Sequence, residues 1–156
     1  MHLANLVRRD HRQWIESNPY EAFEKVKTML AYGKQLLKYQ HYQQAVPYLS
    51  SAYETTQVIF NLVPRSPQLI TTMTSNAIML ADAYKETSHY QASMWVLECT
   101  QDRLQADILK QHELCTKVAF FKHCADIVKQ AIEELKAITL NGHFSVNANK
   151  SNYHLH

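Results

Sequence analysis

Residues that make turns are scarce in this chain of 156, which holds two glycines and four prolines. Strand-dense and loop-rich folds need far more of them, so an all-α class is expected. Charge is also scarce, at 19% of residues, and the two signs nearly cancel to a formal net charge of +2. A balance that small does not advertise a nucleic-acid partner. No run of about eighteen apolar residues occurs, and the basic N-terminus lacks a following apolar stretch of signal-peptide type. No membrane association is therefore expected, and the cytoplasm is the default compartment. The three cysteines, Cys99, Cys115 and Cys124, are odd in number and lack paired spacing. They read as reduced, mostly buried thiols, which fits the same compartment.

What is plentiful is helix-forming sequence with a core-facing period. At this length the chain makes one domain with a core of its own. Leu3 to Trp14 reads as a short first helix with Arg8, Arg9 and Arg12 exposed. Asn18 can cap the next helix and Pro19 suits its first turn, with Glu21 and Glu24 near the positive end of its dipole. That helix reaches about Tyr39 and carries Phe23, Val26, Met29, Leu30, Gly33, Leu36 and Leu37 on its apolar face. A tight connection at Gln40 and His41 leads into a helix from Tyr42 to Leu62, which starts late or bends at Pro47. Val63-Pro64-Arg65-Ser66-Pro67 breaks the chain. Ser66 can cap and Pro67 can open a helix reaching about Thr87. Ser88 and His89 turn into the next helix near Tyr90.

From Tyr90 to Ile138 no glycine or proline appears, yet one helix of that length is unusual for a compact domain. A break is expected between Gln105 and Gln111. The last helix carries Leu114, Val118, Phe121, Ala125, Val128, Ile132 and Leu135 at alternating steps of four and three, the spacing of a close helix–helix seam. Packing of this seam on the preceding helices is the first reading, and a homodimer through the C-terminal helix the second. The domain is expected to span 1–140, with 141–156 a polar, flexible tail.

Two stretches overlay at an offset of 48 residues, placing Gly33, Leu36, Tyr42 and Leu49 on Ala81, Tyr84, Tyr90 and Leu97. A small residue lets paired helices approach, and the larger ones fill the space between them. With Ala45 and Ala52 completing the first copy, the pattern resembles the tetratricopeptide repeat, a helix–turn–helix unit of about 34 residues. The second copy departs from it with Ser93 and Thr100 where alanine is typical, and the spacing of the copies is longer than the family's. The resemblance covers roughly Asn18 to Arg103. It implies a right-handed stack of antiparallel hairpins, five or six helices in all, with the long C-terminal helix packed on the stack.

The resemblance further implies a protein-interaction module, such as an adaptor, regulator or secretion-type chaperone. The first helix of each hairpin would line a groove that holds a partner's peptide or amphipathic helix. Carried over by position, the groove would present Lys27, Leu30, Lys34, Leu37 and Lys38 from one helix, and Ser75, Ile78, Asp82, Lys85 and Glu86 from the next such helix. Lys27, Lys34 and Lys38 share a face, and with Leu30 and Leu37 they suit an acidic or amphipathic segment. Lys34 stands where some family members place a clamp asparagine for a C-terminal carboxylate, so that mode is not expected.

The sequence holds little that points to catalysis. Gly33 falls within a helix and Gly142 in the tail, so no glycine-rich phosphate cradle exists. No nucleophile motif surrounds a serine or cysteine. Glu133-Glu134 are adjacent carboxylates on one helix and do not face each other as an acid–base pair. His112-Glu113-Leu114-Cys115 lacks the second histidine of a zinc helix, and His112 and His123 are about 16 Å apart along a helix. No enzyme activity and no cofactor are expected. Two alternatives remain open: nucleic-acid binding through Arg8, Arg9, His11 and Arg12 beside Trp14, and a His/Cys metal site assembled from several helices.

Overall fold

Two tight turns in this glycine-poor chain are made without glycine. In a computed structural model, Gln40 (φ 61°) and Ser88 (φ 63°) both take left-handed backbone. Each follows a helix whose last carbonyls it closes in the same way. His41 N–H donates to the Leu36 carbonyl at 2.9 Å and Gln40 N–H to that of Leu37 at 3.0 Å. Forty-eight positions on, His89 N–H donates to Tyr84 at 2.8 Å and Ser88 N–H to Lys85 at 3.0 Å. These pairs are Schellman closures, and they reverse the chain within three residues. The internal repeat is therefore written in the backbone as well as in the side chains.

The backbone is described for residues 2–110 and 116–151, and side chains for 8–110 and 118–141. Six helices result: α1 (His2–Ser17), α2 (Pro19–Lys38), α3 (Tyr42–Leu62), α4 (Pro67–Glu86), α5 (Tyr90–Lys110) and α6 (Thr116–Ser151). No strand occurs among the described residues. Ser66 caps α4 through its hydroxyl, which accepts from Leu69 N–H at 3.1 Å, with Pro67 in the first turn. Asn18 departs from expectation: its side chain makes no cap bond to α2. Its Nδ2 donates instead to the Trp14 carbonyl at 3.1 Å, closing the end of α1. Pro47 lies within α3 without delaying its start. The carbonyl left without a helical donor belongs to Gln43, and both residues are exposed to water.

From α2 onward each helix packs chiefly on a neighbour in sequence, whereas α1 packs chiefly on α3. α4 also touches α2 and α6, and α1 lies on α3 and α2. Among the described residues α6 meets neither α1 nor α2, so the helices form an open stack whose ends stay apart. One apolar core runs its length, from Ile15 through Val26, Phe60, Ile70 and Leu97 to Phe121 and Leu135. The α6 seam is spent inside the chain: Phe121, Ala125, Val128, Ile132 and Leu135 are buried, on a helix that packs against α5 and α4. The Val118 side chain of that stripe is half-buried, and Leu114 lies outside the described residues. The expected break after Gln105 falls no earlier than the end of α5 at Lys110, and α6 runs past Leu140 to Ser151.

The repeat pairs occupy equivalent places. Leu49 and Leu97 are both buried, as are Ala45 and Ser93, and Ala52 and Thr100. The two hydroxyls that replace methyl groups are satisfied locally. Ser93 Oγ donates to the Ala81 carbonyl at 2.8 Å, and Thr100 Oγ1 to that of Val96 at 2.7 Å. Buried polar groups with partners cost little, which explains how the second copy tolerates them. Gly33 lies close against Leu49 of α3. A methyl group built there would sit 2.6 Å from Leu49 Cδ2 and 2.9 Å from its Cγ.

Two arginines tie the end of α3 and the loop after it to α5. Arg65 Nε contacts Asp107 Oδ2 at 3.3 Å. Arg103 donates to Gln57 Oε1 at 2.8 Å and to Asn61 Oδ1. Both guanidinium groups lie over the buried Phe60 ring, at 4.7 Å and 4.8 Å. Burial, and then the proximity of Arg65, lowers the pKa of Arg103.

Two outcomes test this frame by thermal and urea unfolding. Gln40→Gly and Ser88→Gly should each stabilise the chain by about 0.5–1 kcal/mol, because glycine removes the left-handed penalty. Gly33→Val should destabilise it by about 1–3 kcal/mol through overpacking against Leu49, and Leu49→Ala in the same chain should relieve part of that loss.

Candidate functional site

Because α2 and α6 stand apart with α4 between them, a groove is left over α4. It encloses about 540 Å³. Thr71, Thr74, Ser75, Ile78 and Met79 of α4 form its floor, Lys34 of α2 one wall, and Phe120, His123, Cys124 and Ile127 of α6 the other. The spacing on each helix accounts for this. Thr71, Thr74, Ser75 and Ile78 recur at steps that keep one helix face together, as do Phe120, His123, Cys124 and Ile127.

The groove is apolar at its base and basic at its edge. None of its lining residues is acidic. Lys34 is exposed and takes part in none of the ion pairs among the described residues. Ile127 lines the groove and is 40% exposed. Cys124 is buried, and burial pushes its thiol pKa up, opposed in part by the Thr74 hydroxyl. At neutral pH the thiol stays protonated and behaves as a small apolar group. Thr74 spends its own proton on the Ile70 carbonyl at 2.9 Å.

The sequence-predicted face is divided by the structure. Lys34, Ser75 and Ile78 meet in the groove. Lys27 does not line it: its ammonium pairs with Glu24 at 2.8 Å and lies over the Phe23 ring at 4.8 Å. Leu30 and Leu37 are half-buried in the core between α2 and its neighbours. Lys38 is exposed at the end of α2, away from the groove lining. Asp82 and Lys85 pair with each other at 3.5 Å and border a narrow recess with Glu134, Leu135 and Ile138 of α6. Glu86 borders another recess, formed with the turn after α2.

The α6 wall escaped the sequence reading. Its residues flank the seam on the side facing α4, and only knowledge of which way α6 docks singles them out. His123 and Cys124, adjacent in sequence, both border the groove.

The other candidates are dispersed. Arg12 pairs with Glu16 at 3.3 Å. Trp14 is half-buried, with Lys25 Nζ 4.2 Å from its ring centre and His11 nearly parallel to it at 6.2 Å. That ring holds α1 to α2. No group of three or more His, Cys, Asp or Glu able to hold a metal lies among the described residues, and His112 and Cys115 fall outside them. No described helix is long and apolar enough to cross a membrane.

Alkylation reads the α6 wall of the groove. At pH 8, iodoacetamide should modify Cys124 at least about ten-fold more slowly in the native chain than in the unfolded one. Burial shields the sulfur, and a raised pKa lowers its thiolate fraction by a factor of ten per unit. Rapid native labelling, followed by peptide mass spectrometry, would contradict this. Comparison with family models, with curated proteins and with solved structures finds no match to this chain.

Proposed function

We propose that the chain is a protein-interaction module of tetratricopeptide-like hairpins, and that the groove across α2, α4 and α6 captures an amphipathic segment of another protein. The observation that carries this reading is the groove itself: an apolar trough with basic Lys34 and His123 on its walls and no acidic lining residue. An amphipathic helix laid there would bury its apolar side on Ile78, Met79, Phe120 and Ile127. Carboxylates along its edge would meet Lys34. One further feature supports it: the first helices of successive hairpins border the trough, as the repeat family's architecture implies.

In this reading the protein acts by holding a partner, as an adaptor, regulator or chaperone does, and the apolar contacts supply most of the affinity. The charge on Lys34 adds selectivity and speeds encounter.

Affinity purification from the native organism, with mass spectrometry, would name the partner, whose bound segment is then made as a labelled peptide. In fluorescence anisotropy, Ile127→Asp should weaken its binding by at least about ten-fold, or 1.4 kcal/mol. Lys34→Glu should weaken it less at high salt than at low salt. Circular dichroism should show both variants folded, since both side chains are exposed in the free chain. Unchanged binding in folded Ile127→Asp protein would remove the groove as the site.

A further inference from the structure

Helices α3, α4 and α5 border another, smaller pocket of about 270 Å³, with no α6 residue in its lining. Three aromatic side chains line it: Tyr53 from α3, Tyr84 from α4 and Trp95 from α5. Glu54 is its only charged lining residue, and Glu54 joins none of the ion pairs among the described residues. Trp95 is 62% exposed, an unusual state for the largest apolar side chain. Unlike Trp14, it has no cation or second ring recorded against it among the described residues.

Aromatic side chains and one carboxylate, with no basic residue in the lining, make an electrostatic setting for a cation, with Arg103 held behind the lining on Gln57. The kind of cation follows from the oxygen atoms. The Tyr53 hydroxyl lies 2.9 Å from Thr100 Oγ1 and 3.4 Å from the Val96 carbonyl. The Tyr84 hydroxyl lies 3.3 Å from Ser50 Oγ. These groups are committed to one another. A bare ammonium or a guanidinium brings three to five N–H donors, of which Glu54 could accept only some, and the rest would lose water without a free acceptor among the tyrosine hydroxyls. An ammonium whose hydrogens are replaced by methyl groups has no such donors. It is weakly hydrated, and its methyl groups pack on aromatic faces.

We propose that the pocket of Tyr53, Tyr84 and Trp95 binds a methylated ammonium group, with Glu54 supplying the counter-charge. The group could be carried by a small quaternary amine or by a methylated lysine of another protein, and both present the same head to the pocket. This site is separate from the α2–α4–α6 groove and stands independently of the function assigned to that groove.

The test uses the full chain and two-dimensional NMR of the two tryptophan indole N–H groups, one from Trp14 and one from Trp95. Choline chloride, tetramethylammonium chloride and the N-acetyl amide of trimethyl-lysine are titrated separately, each against sodium chloride at equal ionic strength. The expected result is a saturable shift of the Trp95 signal with the Trp14 signal unmoved. Affinity should fall at least about ten-fold for unmethylated lysine amide, the size expected when the cation–π contact is lost to hydration. Glu54→Gln should weaken binding. Trp95→Ala should abolish the saturation-transfer signal on the ligand's N-methyl protons, in a chain whose circular dichroism is unchanged. Tighter binding of trimethyl-lysine than of choline would assign the head group to a protein partner, and the reverse order to a free amine. No saturable shift with any methylated cation would overturn the proposal. So would equal affinity for unmethylated lysine, or binding that survives Trp95→Ala.

Discussion

The architecture depends on how quickly the chain turns back on itself. At Gln40 and again at Ser88 a single left-handed residue closes one helix and starts the next within three residues. No slack is left for α3 or α5 to do anything but lie antiparallel to its predecessor. The approach is then set by what stands at the crossing. At the first hairpin it is Gly33 against Leu49, with no room for a methyl group. From those two conditions follow a stack of paired helices, and from the stack a trough over α4 between α2 and α6, which do not touch. The groove is thus a by-product of hairpin geometry, and its chemistry is set by whichever residues happen to face it.

Much of this was legible one helix at a time. The pair Ser66-Pro67 states where α4 begins, because serine can cap and proline fits the first turn. The alternating steps from Phe121 to Leu135 state that α6 has one buried stripe. Other features were legible only in part. Nothing about glutamine or serine marks Gln40 and Ser88 as left-handed, since that conformation is normally glycine's. They could be found by their shared offset from Gly33 and Ala81. Asn18 carried a true capping signal but spent it on the helix before it, a choice governed by how α1 meets α2.

The site was legible to a lesser degree, and for a physical reason. A helix face can be read from spacing, but whether that face meets solvent, core or another helix depends on residues far away in sequence. Lys34, Ser75 and Ile78 were found because they share the exposed sides of α2 and α4. Leu30 and Leu37 lie on a similar stripe, yet α2 buries them in part. The α6 wall, from Phe120 to Ile127, required knowing the docking direction of a helix that follows residues 111–115. Ser93 and Thr100 looked like weak points of the second repeat. The structure shows them bonded to carbonyls of their own hairpin.

Packing between sequence neighbours also bears on how this chain reaches its structure. Nearly every helix finds its main partner in the helix just before or after it, so few long loops must close before burial begins to reward the effort. Each hairpin can gather as it leaves the ribosome and then serve as the surface on which the next one settles. α6 is the exception in kind: it comes last and covers α4 and α5 together. Until it arrives, Ile70, Met73 and Leu97 belong to a core that lacks its final layer. A chain interrupted before α6 would leave that apolar surface uncovered during synthesis, and the interval before docking is when such a surface is open to the wrong contacts.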